Sequence, residues 1–106
     1  MTKPLTPQEI EVAVATLTGW SKVDGMLTRT RTLDTFPAAL DWVQMVGGIA
    51  EELNHHPDID IRWCTVTLRI CTHDAGNQIT AKDVEFAALV DRIGVDAEAR
   101  SDGRAE

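Results

Sequence analysis

The stretch ELNHHPDIDIRWCTVTLRICTHD, residues 52–74, holds every histidine of the chain: His55, His56 and His73. Histidine is the side chain whose unperturbed pKa lies near neutrality, so proton transfer is the chemistry to expect here. The chain has no tyrosine, two cysteines and no glycine-rich phosphate loop to compete with the cluster. One neutral imidazole can accept a proton while another, charged, protonates a leaving oxygen. Glu51 stands one helical turn before His55, where it can hold that imidazole's tautomer or its proton. Glu52 reads as solvated surface. Asp74 follows His73 with the same choice of roles, or as an ordinary turn-starting aspartate.

Other chemistries fit the spacing less well. Neighbouring residues on a helix point about 100° apart, so His55 and His56 do not easily chelate one ion. His73 has no His-x-His partner, and the cysteines lack a CxxC spacing. No metal site is expected. Cys71 and His73 would share a strand face at a separation of about 6.6 Å, beyond hydrogen-bond reach, which disfavours a thiol–imidazole dyad.

The elements that must position these residues are legible in the patterning. LTPQEIEVAVATL opens with Thr6 as N-cap, Pro7 in the first helical position and Glu9 completing a capping box; Ile10, Ala13, Val14 and Leu17 then share one face, and Gly19 ends the helix. Asp24-Gly25 predicts a hairpin turn into a threonine-rich strand from Leu27 to Leu33, in which the stems of Arg29 and Arg31 lie along a face. A second helix starts at Asp34 or Thr35, with Phe36, Leu40, Val43, Ala50 and Leu53 at helical spacing, and frays at His55-His56 because Pro57 disfavours helical geometry before it. Gly47-Gly48 in its middle costs about 1 kcal/mol per glycine relative to alanine, which implies a close approach there by another strand or a partner subunit. IRWCTVTLRICTH predicts a strand with Cys64, Val66, Leu68 and Ile70 on its apolar face and Trp63, Thr65, Thr67, Arg69, Cys71 and His73 on the other. DAGNQ is a turn, and the last helix begins at Thr80 with Asp83 in its third position.

Helix, two strands, helix, further strand or strands, helix implies an α+β fold: an antiparallel sheet with helices packed on one face and the other, carrying Trp63 and threonines, left open to a second subunit. Residues 1–94 form a single domain, and the polar segment 95–106 a flexible tail. A net charge of −7 argues against a non-specific nucleic-acid partner, although Arg29, Arg31, Arg62 and Arg69 could form a local basic patch. No apolar run approaches a membrane span, and no signal peptide opens the chain, so a cytoplasmic protein is expected. Cys64 and Cys71, seven apart and on opposite sides of one strand, read as reduced thiols.

Taken together, E-x-x-x-HHP from Glu51 to Pro57, V-T-L-x-x-x-THD from Val66 to Asp74 and I-T-x-x-D from Ile79 to Asp83 resemble the pterin-4a-carbinolamine dehydratases. The resemblance extends upstream through Gly19-Trp20 and Phe36 and covers nearly the whole chain. It implies dehydration of 4a-hydroxytetrahydropterin to quinonoid dihydropterin without a cofactor, on a four-stranded antiparallel sheet, in a homodimer or a dimer of dimers. Carried over by position, His55 and His73 resemble the acid–base pair, and His56 the histidine that binds and orients the pterin. Glu51 matches the carboxylate behind the first histidine. Trp20 resembles an aromatic residue at the pocket edge, or else is a core tryptophan beginning a strand. The departures are Asn54 before the histidines, Ile59 where an aromatic is frequent, and Gly76-Asn77 where Gly-Gly is usual. A non-catalytic pterin-binding or protein-interaction module of the same fold is the alternative.

Overall fold

The computed structural model describes the backbone of residues 3–104 and the side chains of residues 3–93. The elements run α1 (Pro7–Ala15), β1 (Trp20–Val23), β2 (Met26–Thr32), α2 (Phe36–Leu53), β3 (Asp58–Arg62), β4 (Thr65–Ile70), a short 3₁₀ turn (His73–Ala75) and α3 (Ala81–Arg104). The four strands form one antiparallel sheet in the order β1-β2-β4-β3, with the helices on one side, the expected α+β architecture.

Local chemistry accounts for most boundaries. Thr6 accepts from Glu9 N while Glu9 accepts from Thr6 N, closing the expected capping box of α1. Asp24 and Gly25 both take positive φ, 52° and 78°, the signature of a tight two-residue hairpin turn. Thr35 rather than Asp34 caps α2, its hydroxyl accepting from Ala38 N. The backbone of α3 passes through Gly94, the expected end of the domain, to Arg104. Side chains from residue 94 onward lie outside the described residues, so the expected polar tail at 95–106 is described by its backbone alone, as far as Arg104.

Two expectations about faces are corrected. The predicted strand from Ile61 to His73 is two strands, with Trp63-Cys64 as the hairpin loop between β3 and β4. The alternation was read correctly for Val66, Leu68 and Ile70, all fully buried, but Trp63 sits in the loop at φ 55° and is 79 % exposed. On α2 the buried stripe is Ala39, Trp42, Val46, Ile49 and Ala50, whereas Phe36 and Leu40 are each 44 % exposed. Both stripes have helical spacing, and only the position of the sheet decides between them. Among the described residues nothing lies within 4 Å of where a Cβ would stand on Gly47 or Gly48, so none of them makes the close approach expected there.

The core lies between the sheet and the helices: Leu27, Val66, Leu68 and Ile70 meet Trp42, Val46, Phe86 and Val90. Arg29 and Arg31 face the same way as Leu27 and place their guanidinium carbons 5.9 and 5.4 Å from the Trp42 ring centre. The basic patch these arginines could have formed is broken up, as Arg29 pairs with Asp91, Arg62 with Asp60, and Arg69 lies between Thr28 and Asp58 on the other face of the sheet. That other face carries cross-strand hydroxyl pairs, Thr30–Thr67 and Thr32–Thr65, each at 3.1 Å. Both cysteines are buried and free, one in the hairpin loop and one just past β4 rather than on one strand.

Candidate functional site

The helix α2 ends immediately before the histidine pair because Asn54 takes a left-handed conformation, φ 51° and ψ 47°. The His55 N–H donates back to the Ala50 carbonyl at 2.9 Å, closing the turn. This reversal aims the His55 ring inward, where its side chain is 11 % exposed and Nε2 lies 2.6 Å from Asp83 Oδ1.

Asp83 is wholly buried. Its second oxygen accepts from the Thr80 backbone N–H and from the Thr72 hydroxyl, both at 2.8 Å. Thr80 in turn directs its hydroxyl proton to Thr72 Oγ1 at 2.7 Å and accepts from Lys82 N. The carboxylate that completes the N-terminal cap of α3 is therefore also the partner of His55. An ionised carboxylate only accepts hydrogen bonds, so His55 Nε2 carries the proton and Nδ1 is the ring nitrogen left for other work. One buried group ties together the end of α2, the end of β4 and the start of α3.

His56 points outward. Its Nε2 lies 2.6 Å from Glu51 Oε2, with the two side chains 53 % and 80 % exposed. Glu51, expected behind His55, thus partners His56. The left-handed residue at Asn54 breaks the helical register on which the one-turn spacing from Glu51 to His55 relied.

His73 follows Thr72 directly and opens the 3₁₀ turn, exposed, with Nδ1 2.6 Å from Asn77 Oδ1. Asn77, not Asp74, supplies the acceptor to that nitrogen. Of the two readings of Trp20, the structure matches the core tryptophan beginning a strand and not the pocket edge: it is 4 % exposed, stands edge-on to Phe86 and donates from Nε1 to Asp91 Oδ1 at 2.9 Å. Beside the network, burial pushes the Cys71 thiol above its ordinary pKa, with further contributions from the negative charges of Asp83 and Asp58.

The structure thus brings His55 and the residue preceding His73 onto the same carboxylate, with His56 at the adjoining chain turn. Asp83, Thr72 and Asn77 are the parts of this arrangement that sequence reasoning did not assign. The signal for Asp83 was visible as T-x-x-D, but a cap and a histidine partner leave the same trace in a sequence. Among the described residues no three His, Cys, Asp or Glu side chains are grouped as metal ligands. An open groove of about 600 Å³ between α1 and α3, lined by Leu5, Val12, Ala13 and Val84 among others, includes none of the histidines.

Comparison with known proteins shows the family and the fold. Residues 3–93 match the model of the family described as pterin 4 alpha carbinolamine dehydratase. A Roseiflexus castenholzii protein provisionally named as such a dehydratase is 46 % identical over 89 residues, spanning 84 % of this chain and 95 % of that protein. A Mycobacterium tuberculosis protein with the same provisional name is 45 % identical over 89 residues, spanning 84 % and 94 %. A Brucella melitensis crystal structure, described as a transcriptional coactivator/pterin dehydratase, superposes with a TM-score of 0.80 at 30 % identity, covering 85 % of this chain and 97 % of that one.

Proposed function

Because the chain belongs to the pterin 4 alpha carbinolamine dehydratase family, we propose that it is a hydro-lyase that converts 4a-hydroxytetrahydropterin to quinonoid dihydropterin and water, in pterin recycling. The C4a–O bond breaks, the oxygen leaves as water with a proton from an acid, and a base removes the N5 proton as the C4a=N5 bond forms. His55 and His73 are the acid–base pair. His56, oriented by Glu51, binds the pterin.

The observation that supports this reading best is the buried Asp83 carboxylate. It holds the His55 ring on one side and the residue before His73 on the other. Costly desolvation of a carboxylate is repaid here by three donors aimed at it, an arrangement suited to fixing an imidazole in one orientation. No cofactor is called for, since the reaction moves only protons and water.

A homodimer, or a dimer of dimers, belongs to the same proposal. Phe36, Leu40, Val43 and Gly47 fall at alternating steps of four and three along α2, Phe36 and Leu40 face outward, and the space over Gly47 is open. A cytoplasmic site of action is in keeping with the two free thiols. Among the described residues no helix is long and apolar enough to cross a membrane.

The test is dehydration of freshly generated 4a-hydroxytetrahydropterin by the native protein, His55→Ala and His73→Ala. The expected loss in each variant is about 10²- to 10⁴-fold with the fold retained by circular dichroism. A native protein that binds pterin without turning it over would favour the alternative, a binding or interaction module of this fold.

A further inference from the structure

The loop after β4 does more than reverse the chain. Thr72 N–H donates to the Gln78 carbonyl at 2.9 Å and Gly76 N–H to the His73 carbonyl at 3.0 Å, so residues 72–78 close into a compact ring of backbone bonds. Gly76 and Asn77 then take consecutive left-handed conformations, φ 74° and φ 60°. Asparagine is among the few side chains that tolerate this region, so on backbone grounds alone Asn77 is a turn residue for which glycine would serve better. Glycine, however, would bring no side chain. The Asn77 carbonyl oxygen reaches 2.6 Å from His73 Nδ1, across four residues of the loop.

We propose, resting on the acid–base role of His73 given above, that Asn77 is a positioning residue that holds His73 in the tautomer with its proton on Nδ1, so that Nε2 is the nitrogen presented to the pterin. An amide oxygen accepts and cannot donate, so the Nδ1 proton stays in place whether the ring is neutral or charged. His73 is exposed, and without such a lock a neutral imidazole in water favours the opposite tautomer. The two rings of the pair are held by opposite nitrogens: His55 by Nε2 on Asp83, His73 by Nδ1 on Asn77. They therefore present Nδ1 and Nε2 respectively. Exchange of the proton at His73 needs no movement of the ring, because the held nitrogen is not the reacting one.

The test is ¹⁵N-detected imidazole NMR of the full chain, paired with steady-state kinetics, for the native protein, Asn77→Gly and Asn77→Asp. Glycine suits the left-handed backbone, so that variant folds and removes only the amide. Aspartate keeps an acceptor at the same place. The native His73 ring, in its neutral form, is expected to carry its proton on Nδ1, and Asn77→Gly to move the population toward Nε2–H. Asn77→Gly should lower kcat roughly three- to tenfold, the fold-change one neutral hydrogen bond is worth, with little change in KM. Asn77→Asp should retain both the tautomer and most of the activity. A native His73 protonated on Nε2, or an Asn77→Gly variant with unchanged tautomer or unchanged kcat, overturns the proposal. The NMR measurement needs no turnover, so a protein without dehydratase activity would sink the functional reading while still deciding whether Asn77 holds His73.

Discussion

Replacing Asp83 separates its two duties, capping α3 and orienting His55. In Asp83→Ala the Thr80 N–H and Thr72 hydroxyl lose a fully buried acceptor, and the His55 ring loses its partner. Each orphaned donor costs about 1–3 kcal/mol. Removing one member of a buried pair costs about 3–5 kcal/mol in all. Against a total stability of about 5–15 kcal/mol, that is a large fraction. At about 4–8 °C per kcal/mol for a small domain, Tm should fall by roughly 12–40 °C. Asp83→Asn behaves differently. Its amide oxygen can stand where Oδ2 stands and keep the Thr80 and Thr72 bonds. Its NH₂ group then faces His55 Nε2, which must accept, and the ring proton moves to Nδ1. Stability should fall by only about 1 kcal/mol while kcat drops by about 10²- to 10⁴-fold, the range seen when an acid or base is disabled or held in the wrong tautomer. Thermal denaturation followed by circular dichroism and the carbinolamine dehydration assay read the two effects. An Asp83→Asn enzyme within about twofold of native kcat would refute the orienting role. An unchanged Tm in Asp83→Ala would refute the capping account.

Glu51→Gln is expected to act through His56, raising KM more than it lowers kcat in steady-state assays, because Glu51 contacts the outward-facing ring. Trp63→Asn relieves a bulky side chain held at φ 55°, and differential scanning calorimetry should show a gain of up to about 1 kcal/mol. Leu40→Glu, on the outward stripe of α2, should convert the assembly to monomers by light scattering while leaving the monomer's circular dichroism unchanged. The raised Cys71 thiol predicts slow labelling by iodoacetamide at neutral pH and a specific pH dependence of stability. Above the ordinary thiol value of 9.0 the unfolded chain loses this proton while the native state keeps it. Denaturant midpoints should therefore fall as pH rises above that value, and Cys71→Ser should flatten the decline.

The sequence by itself determined most of the elements, though not the hairpin that separates β3 from β4, and the identity of the proton carriers. Capping boxes, a hairpin dipeptide and period-two alternation are written in residues a few positions apart, so Thr6, Asp24-Gly25 and the Val66–Ile70 face could be read without any tertiary information. The cluster of His55, His56 and His73 was equally plain. What the sequence left open were choices between equivalent local solutions. Two stripes of α2 have helical spacing, and only the sheet's position buries Trp42 and leaves Phe36 outside. Trp20 could start a strand or edge a pocket until Asp91, seventy-one residues away, claimed its indole N–H. Glu51 and Asp83 are both carboxylates near a histidine in some fold of this chain. The left-handed turn at Asn54 gives Glu51 to His56 and swings His55 onto Asp83. Partnerships of that kind depend on where three chain segments end in space, and hydrogen bonds reach only about 3 Å. Local patterning carries no information at that range once the segments are far apart in sequence.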